Sequence, residues 1–263
     1  ALTVAPDVAD LGQLAGRQIA IPFWWSIHNV VVQKLLRANG LRPVIRAEPS
    51  RSSSTVGLVV MSPSDMLPAL ANGAIGGYTV ADPFNAAAEI KGVGRIYRFL
   101  GDVWRDHACC ALLVHEDVVD RNQAGVQQLT DAVTAAQLRI DAGRPAAAQL
   151  LKSGRYLPQP LPAVTKALTY PAADYAVAHP EWQPQRIGYQ PFPFPSFTQA
   201  LVEAMNETEV DGDRRFLERL EPSTVHADLV DDRFVRESLR RGGGPATFGL
   251  PAGLTRTEEV DPR

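Results

Sequence analysis

The sequence predicts an α/β layer with a mostly parallel sheet, continued by a helix-rich remainder. Three observations carry this. Strand-like and helix-like runs alternate over the first 118 residues, the signature of βαβ units. After about Asp120 the alternation stops and only helical periodicity continues. The composition is that of an ordinary globular chain: 263 residues, 45% hydrophobic and 21% charged, with a mean hydropathy of −0.10. That length suits one large domain or two lobes of roughly 100–150 residues each.

The elements follow in order. Leu11 to Gly16 form a short turn. "RQIAIPF" alternates as a strand and is ended by Pro22. "SIHNVVVQKLLRANG" carries apolar residues at Ile27, Val30, Val31, Leu35 and Leu36, which is helical spacing, and Gly40 closes it as the residue past the C-cap. "RPVIRAE" and "VGLVVM" read as strands separated by a serine-rich loop, Ser50 to Thr55. "SPSDMLPALANG" is a short helix between Pro and Gly punctuation, and "AIGGYTV" a further strand. "DPFNAAAEIKGVG" opens a helix with Pro83 in its first turn. "GRIYRFLG" and "ACCALLVHEDVV" are two more strand-like runs. Residues 1–115 thus form an α/β lobe and residues 116–263 a helix-rich remainder. In the latter, "AGVQQLTDAVTAAQLRIDAG", "PAAAQLLKSG", "PLPAVTKALTY", "FTQALVEAMNET" and "DRFVRESLRR" are helical. An aromatic, Pro-rich segment from Tyr170 to Phe197 reads as an irregular covering segment, with Tyr189 to Phe197 the best candidate to cover a cleft between the α/β and helical parts, and a Gly/Pro-rich tail lies over the surface.

Several function classes fall away on composition. A net charge of −3 and a pI near 6.0 lack the basic footprint of a nucleic-acid binder. No segment approaches the roughly 18 consecutive apolar residues that span a bilayer. The two cysteines, Cys109 and Cys110, are adjacent. Neighbouring cysteines bridge only under strain, and the spacing of a metal site is missing. They read as small buried residues of the strand "ACCALLV", resistant to alkylation, and no metal or organic cofactor is expected.

Three turns concentrate polar and aromatic residues. In "PFWWSIHN", Ser26 stands at the N-cap position, with Trp24 and Trp25 before it and His28 and Asn29 in the first helical turn. One reading is structural: a cap and two packing indoles. The other is a ligand cradle, since a helix N-terminus after a strand presents free N–H groups and a positive dipole end. "VADPFNAAAE" repeats the arrangement with Asp82, Phe84 and Asn85, and "GDVWRDHACC" adds Trp104 and His107. Aromatic walls with a few polar anchors are what a small-solute cleft requires. An ionised Asp82 there suits a zwitterion or a ring nitrogen and repels a bare anion such as nitrate.

The runs "LAGRQIAIPFWWSIHNVVVQKLLRANGL", "MSPSDMLPALANGAIGGYTVADPFNAAAE" and "GDVWRDHACCALLVHEDVV" resemble the solute-binding proteins of ABC importers for nitrate, sulfonates and taurine. That group includes binders of thiamine-pyrimidine precursors. The resemblance covers roughly Leu11 to Val119. It implies a two-lobe periplasmic-binding-protein-like fold of class II type that closes on a solute, with the hinge near Ala108 to Glu116. It also implies an ABC permease as partner, a periplasmic or cell-surface location, and membrane association only through a lipid anchor outside these residues. The sequence departs from the family in three places. Its N-terminal "G-Y-x-P" segment has no counterpart and is expected to be missing here, or supplied by another chain, unless the first lobe is unusual. Asp82 replaces a more frequent glutamate, and the tryptophan pair is bulkier than the usual residues. The leading expectation is a binding protein. The alternative is a cleft enzyme on the same fold, a desulfinase or a pyrimidine-synthesis protein, using His107 and Cys109.

Overall fold

The computed structural model describes residues 1–182 and 186–263. Six strands form one sheet: β1 (Leu2–Val4), β2 (Gln18–Ile21), β3 (Arg42–Val44), β4 (Thr55–Val60), β5 (Gly77–Thr79) and β6 (Arg95–Arg98), in the order β3-β4-β2-β5-β1-β6. Four of them, β3, β4, β2 and β5, run parallel. β1 lies antiparallel between β5 and β6. Sequence reasoning missed β1: three residues are too few to show alternation, and their pairing is wholly non-local. Gly77 permits it, since a Cβ there would sit 2.9 Å from the Thr3 carbonyl oxygen.

Helices α1 (Ile27–Ala38), α2 (Pro63–Ala71) and α3 (Phe84–Ile90) are the crossovers. The step from β2 to β3 runs toward one edge of the sheet, and the steps from β4 to β5 and from β5 to β6 toward the other. Crossovers of one hand in opposite directions place α1 on one face and α2 with α3 on the other. Ser26 caps α1 by accepting the Asn29 N–H at 3.1 Å, and Gly40, at φ 73°, ends it. The core joins Leu2, Val4, Ile19, Ile21, Val56 and Leu58 of the sheet to Val31, Val32, Leu35 and Leu36 of α1.

Among the described residues seven helices follow: α4 (Glu116–Arg121), α5 (Gln123–Ala142), α6 (Arg144–Ser153), α7 (Leu161–Thr169), α8 (Pro195–Glu207), α9 (Val225–Leu229) and α10 (Arg233–Arg241). α7 packs on α3, and α8 sends Ala204, Phe197, Leu201 and Met205 into the core of the sheet layer. α5 buries only Val126 and Thr134 of its 20 residues. Residues 183–185 of the expected covering segment lie outside the described residues. Its best candidate stretch, Tyr189 to Phe197, instead puts Phe192 and Phe194 into a separate cluster with Val235, Leu239 and Phe248.

One expected strand is absent. Residues 108–115 are irregular and mostly exposed, and α4 begins at Glu116. Apolar composition does not by itself supply a partner edge. The backbone just upstream has already been taken by the C-terminal tail: Arg105 N–H donates to Glu259 O at 3.0 Å, Asp261 N–H to Val103 O at 2.8 Å, and Trp104 bridges Val260.

A buried polar network fixes α1 to the chain beyond α8. Gln33 donates to Asn29 Oδ1 at 2.9 Å and to Glu209 O at 2.8 Å, and its Oε1 accepts the Glu209 N–H at 2.9 Å. Gln33→Leu strands those groups without water, and each buried unpaired group costs roughly 1–3 kcal/mol. Urea denaturation should show a loss of about 2–3 kcal/mol with unchanged m-value; a variant as stable as the parent would show the network to be dispensable.

Candidate functional site

β2 and β5 are parallel neighbours whose onward connections diverge, β2 through α1 toward β3 and β5 through α3 toward β6. Open α/β sheets bind ligands outside the carboxyl ends of strands at such a divergence, which makes the space beyond these two strand ends the candidate crevice. The first and second candidate turns, Pro22–Ser26 and Val80–Pro83, leave these two strand ends.

At the β2 exit the expected residues divide. Ser26 is buried and its hydroxyl is used as the cap. Asn29 is fully buried, donating to Trp24 O at 2.8 Å and accepting from Gln33, so it holds the turn. Trp24 packs on the core, and Trp25 meets Phe216 edge-on at 5.1 Å. Phe23, which sequence reasoning passed over, is 58% exposed at this rim. His28 places Nε2 3.9 Å from Cys109 Sγ.

At the β5 exit, Asn85 is fully buried and structural: it donates to Val80 O at 2.9 Å and accepts from Thr3 Oγ1 at 2.9 Å. Phe84 packs on the core, and its carbonyl accepts the Tyr78 hydroxyl at 3.0 Å. Asp82 Oδ1 accepts the Tyr170 hydroxyl at 2.6 Å. Tyr170 lies 88 positions away, so no local signal could have announced it. It arrives because α7 docks on α3 and because Phe99, Tyr170 and Tyr175 stack edge-on at 5.0–5.5 Å.

The third turn is corrected most. Trp104 does not line the crevice: it is 1% exposed, contacts Phe197, and donates its indole N–H to Glu258 Oε2 at 2.9 Å. His107 Nδ1 lies 3.0 Å from Trp104 O. A carbonyl only accepts, so Nδ1 carries the proton and Nε2 is left as an acceptor. Cys109 and Cys110 are exposed in the irregular segment, not buried in a strand. The imidazole in contact with Cys109 is that of His28, where His107 was expected.

Desolvation sets the charges. It lowers His28 to about 3 and His107 to about 4, so both imidazoles are neutral at pH 7. It raises the Asp82 carboxyl above the usual carboxylate range and, with Cys110 beside it, the Cys109 thiol to about 11. The two imidazoles are therefore neutral, and burial moves the Asp82 carboxyl toward its protonated form, which weakens the expected repulsion of anions. Among the described residues no group of three or more His, Cys, Asp or Glu is arranged to hold a metal. Two open concavities of about 500 Å³ each lie at the opposite ends of the strands, both lined by Asp7 and Arg17, and no candidate residue lines either.

The neutral histidines make stability fall with acid. Between the unfolded value near 6.5 and the folded values, the unfolded chain binds more protons, so stability is complete above pH 6.5 and declines below it. At pH 5 each histidine should cost about 2 kcal/mol relative to pH 7. Urea midpoints across pH 5–7 should drop for the parent and flatten for His28→Gln/His107→Gln; equal slopes would assign the acid loss elsewhere.

Comparison with known proteins places this geometry. Nitrate/nitrite binding protein NrtA of Synechococcus elongatus is 27% identical over 133 residues, 50% of this chain and 28% of that protein. This chain thus matches under a third of its relative's length. The structure of the periplasmic nitrate-binding protein NrtA from Synechocystis superposes with a TM-score of 0.75 at 17% identity, covering 99% of this chain and 69% of that one. The periplasmic aliphatic sulphonate binding protein SsuA from Escherichia coli gives 0.58 at 15% identity over 88% of this chain and 64% of that one. These likenesses identify the fold as that of the periplasmic binding proteins. The NMT1-like family model matches residues 4–152, more than half of the chain, and the chain belongs to the NMT1-like family.

Proposed function

We propose that this chain carries the solute-recognition layer of an extracytoplasmic binding component of an ABC importer, which takes up a small nitrate-, sulfonate- or taurine-like or heterocyclic solute and passes it to a membrane permease. One observation carries the reading: beyond the carboxyl ends of the parallel neighbours β2 and β5, His28 meets Cys109 at 3.9 Å and His107 keeps Nε2 as an acceptor once Nδ1 has bonded Trp104 O. Family membership and the likeness to NrtA support it. No helix among the described residues is long and apolar enough to cross a membrane, which agrees with a component that meets its permease from outside the bilayer. A hinge near Ala108 to Glu116, between an α/β lobe and the helical remainder, is part of the same proposal; the irregular, mostly exposed chain at 108–115 supports it.

The contact of Cys109 with His28 favours a second reading, a cleft enzyme with a thiol nucleophile. The electrostatics oppose it. A thiol pushed up to about 11 beside an imidazole lowered to about 3 is a neutral pair, not a thiolate–imidazolium pair.

A thermal-shift panel of nitrate, bicarbonate, taurine, methanesulfonate and an aminopyrimidine tests the binding reading. A compound at 100 times its dissociation constant should add about 2.7 kcal/mol. His28→Ala should weaken the responding compound about tenfold, the worth of one hydrogen bond to the solute. Ser26→Ala removes a cap and should cost about 1 kcal/mol of stability while leaving affinity unchanged. Full affinity in His28→Ala would place the solute elsewhere.

A further inference from the structure

The vicinal thiols stand apart from everything assigned so far. Both cysteines are exposed, in a segment that belongs neither to the sheet nor to a helix. They are consecutive residues, so their Cα atoms stand about 3.8 Å apart. The Cys109 sulfur also touches His28 at the first turn of α1. Buried strand cysteines would be inert; these are accessible, mutually in reach, and coupled to the crevice.

We propose that Cys109 and Cys110 form a reversible vicinal disulfide, a redox modification site at the edge of the crevice that takes small or protein disulfides as oxidant. The location rests on the extracytoplasmic part of the function proposed above, since such surroundings supply disulfide oxidants; the chemistry does not depend on which solute is bound. The thiolate of Cys110 attacks one sulfur of the oxidant disulfide and releases the first thiol of the pair. Cys109, held protonated by desolvation, then loses its proton and attacks the Cys110 sulfur of the mixed disulfide, releasing the second thiol. The two protein sulfurs lose two electrons and two protons, and the oxidant is reduced to two thiols. The geometry sets the character of the bond. Adjacent Cα atoms are about 3.8 Å apart across a trans peptide, shorter than the roughly 4.4–6.8 Å of ordinary disulfides. The ring is strained, and strained, exposed disulfides are the easily reduced ones. The irregular backbone of residues 108–115 has no ladder to break when the ring closes. Ring closure redirects Cys109 Sγ toward Cys110 and away from His28 Nε2, so oxidation alters the imidazole environment in the crevice.

The test exposes the full chain to oxidised glutathione and follows it by intact mass, maleimide counting of free thiols, and the His28 ring signals in NMR. The expected result is a monomer lighter by two hydrogen atoms, with both thiols lost together, a shifted His28 signal, and full reversal by reduced glutathione. Cys109→Ser should stop at a stable adduct of one glutathione on Cys110, and Cys110→Ala should leave the His28 signal unresponsive to oxidant. Two glutathione adducts on the parent, a covalent dimer, thiols that resist oxidation, or a ring that closes without moving the His28 signal would each overturn the proposal. None of these readouts involves a solute, so failure here leaves the binding reading to its own panel.

Discussion

Strand β2 is held in parallel register on both sides, against β4 from Gln18 to Ile21 and against β5 at Ile19 and Ala20. Everything at the candidate site descends from that central pairing. Two parallel strands must leave the sheet at the same end. Because the chain leaves β2 toward one edge and β5 toward the other, their exit loops part and cannot fill the space between them. Gly77 serves the other side of β5: a Cβ there would meet the Thr3 carbonyl oxygen at 2.9 Å, so its absence lets β1 close against β5.

Burial at those exits then governs the chemistry. A polar group removed from water needs a hydrogen-bond partner or must give up its charge. Ser26, Asn29 and Asn85 take the first course, and their atoms are used by the backbone of the turns they occupy. His28 and His107 take the second and are neutral at pH 7. Asp82 does both, accepting from Tyr170 while desolvation moves its carboxyl toward the protonated form. The same accounting separates groups whose polar atoms the turns consume from groups that stay neutral beside them.

The helical half is fastened to the sheet layer by specific polar contacts as much as by apolar area. Glu258 is the clearest case: it accepts from Trp104 Nε1, Ser196 Oγ and Arg256 Nε at 2.9, 2.8 and 2.7 Å. Asp102, almost fully buried, accepts the Ala178 and His179 N–H groups at 2.6 and 2.8 Å. These carboxylates are each satisfied by donors from a different element, which is how an acid is tolerated inside. They explain why Trp104, an aromatic residue in a polar turn, is a structural post and not a cleft wall.

By itself the sequence determined the order of strands β2 to β6 and crossovers α1 to α3, because periodicity, caps and glycines act over a few residues. "SIHN" announced the N-cap and Gly40 the helix end. It did not determine which polar residues at the strand exits are free. That depended on partners 81 to 176 positions away: Glu209 on Gln33, Tyr170 on Asp82, Cys109 on His28. Nor did it determine that "ACCALLV" leaves the sheet, since a strand exists only where an edge is open to pair with it. Tertiary structure decided these points because hydrogen-bond satisfaction and desolvation are properties of the assembled surroundings, and no local window of the chain contains them.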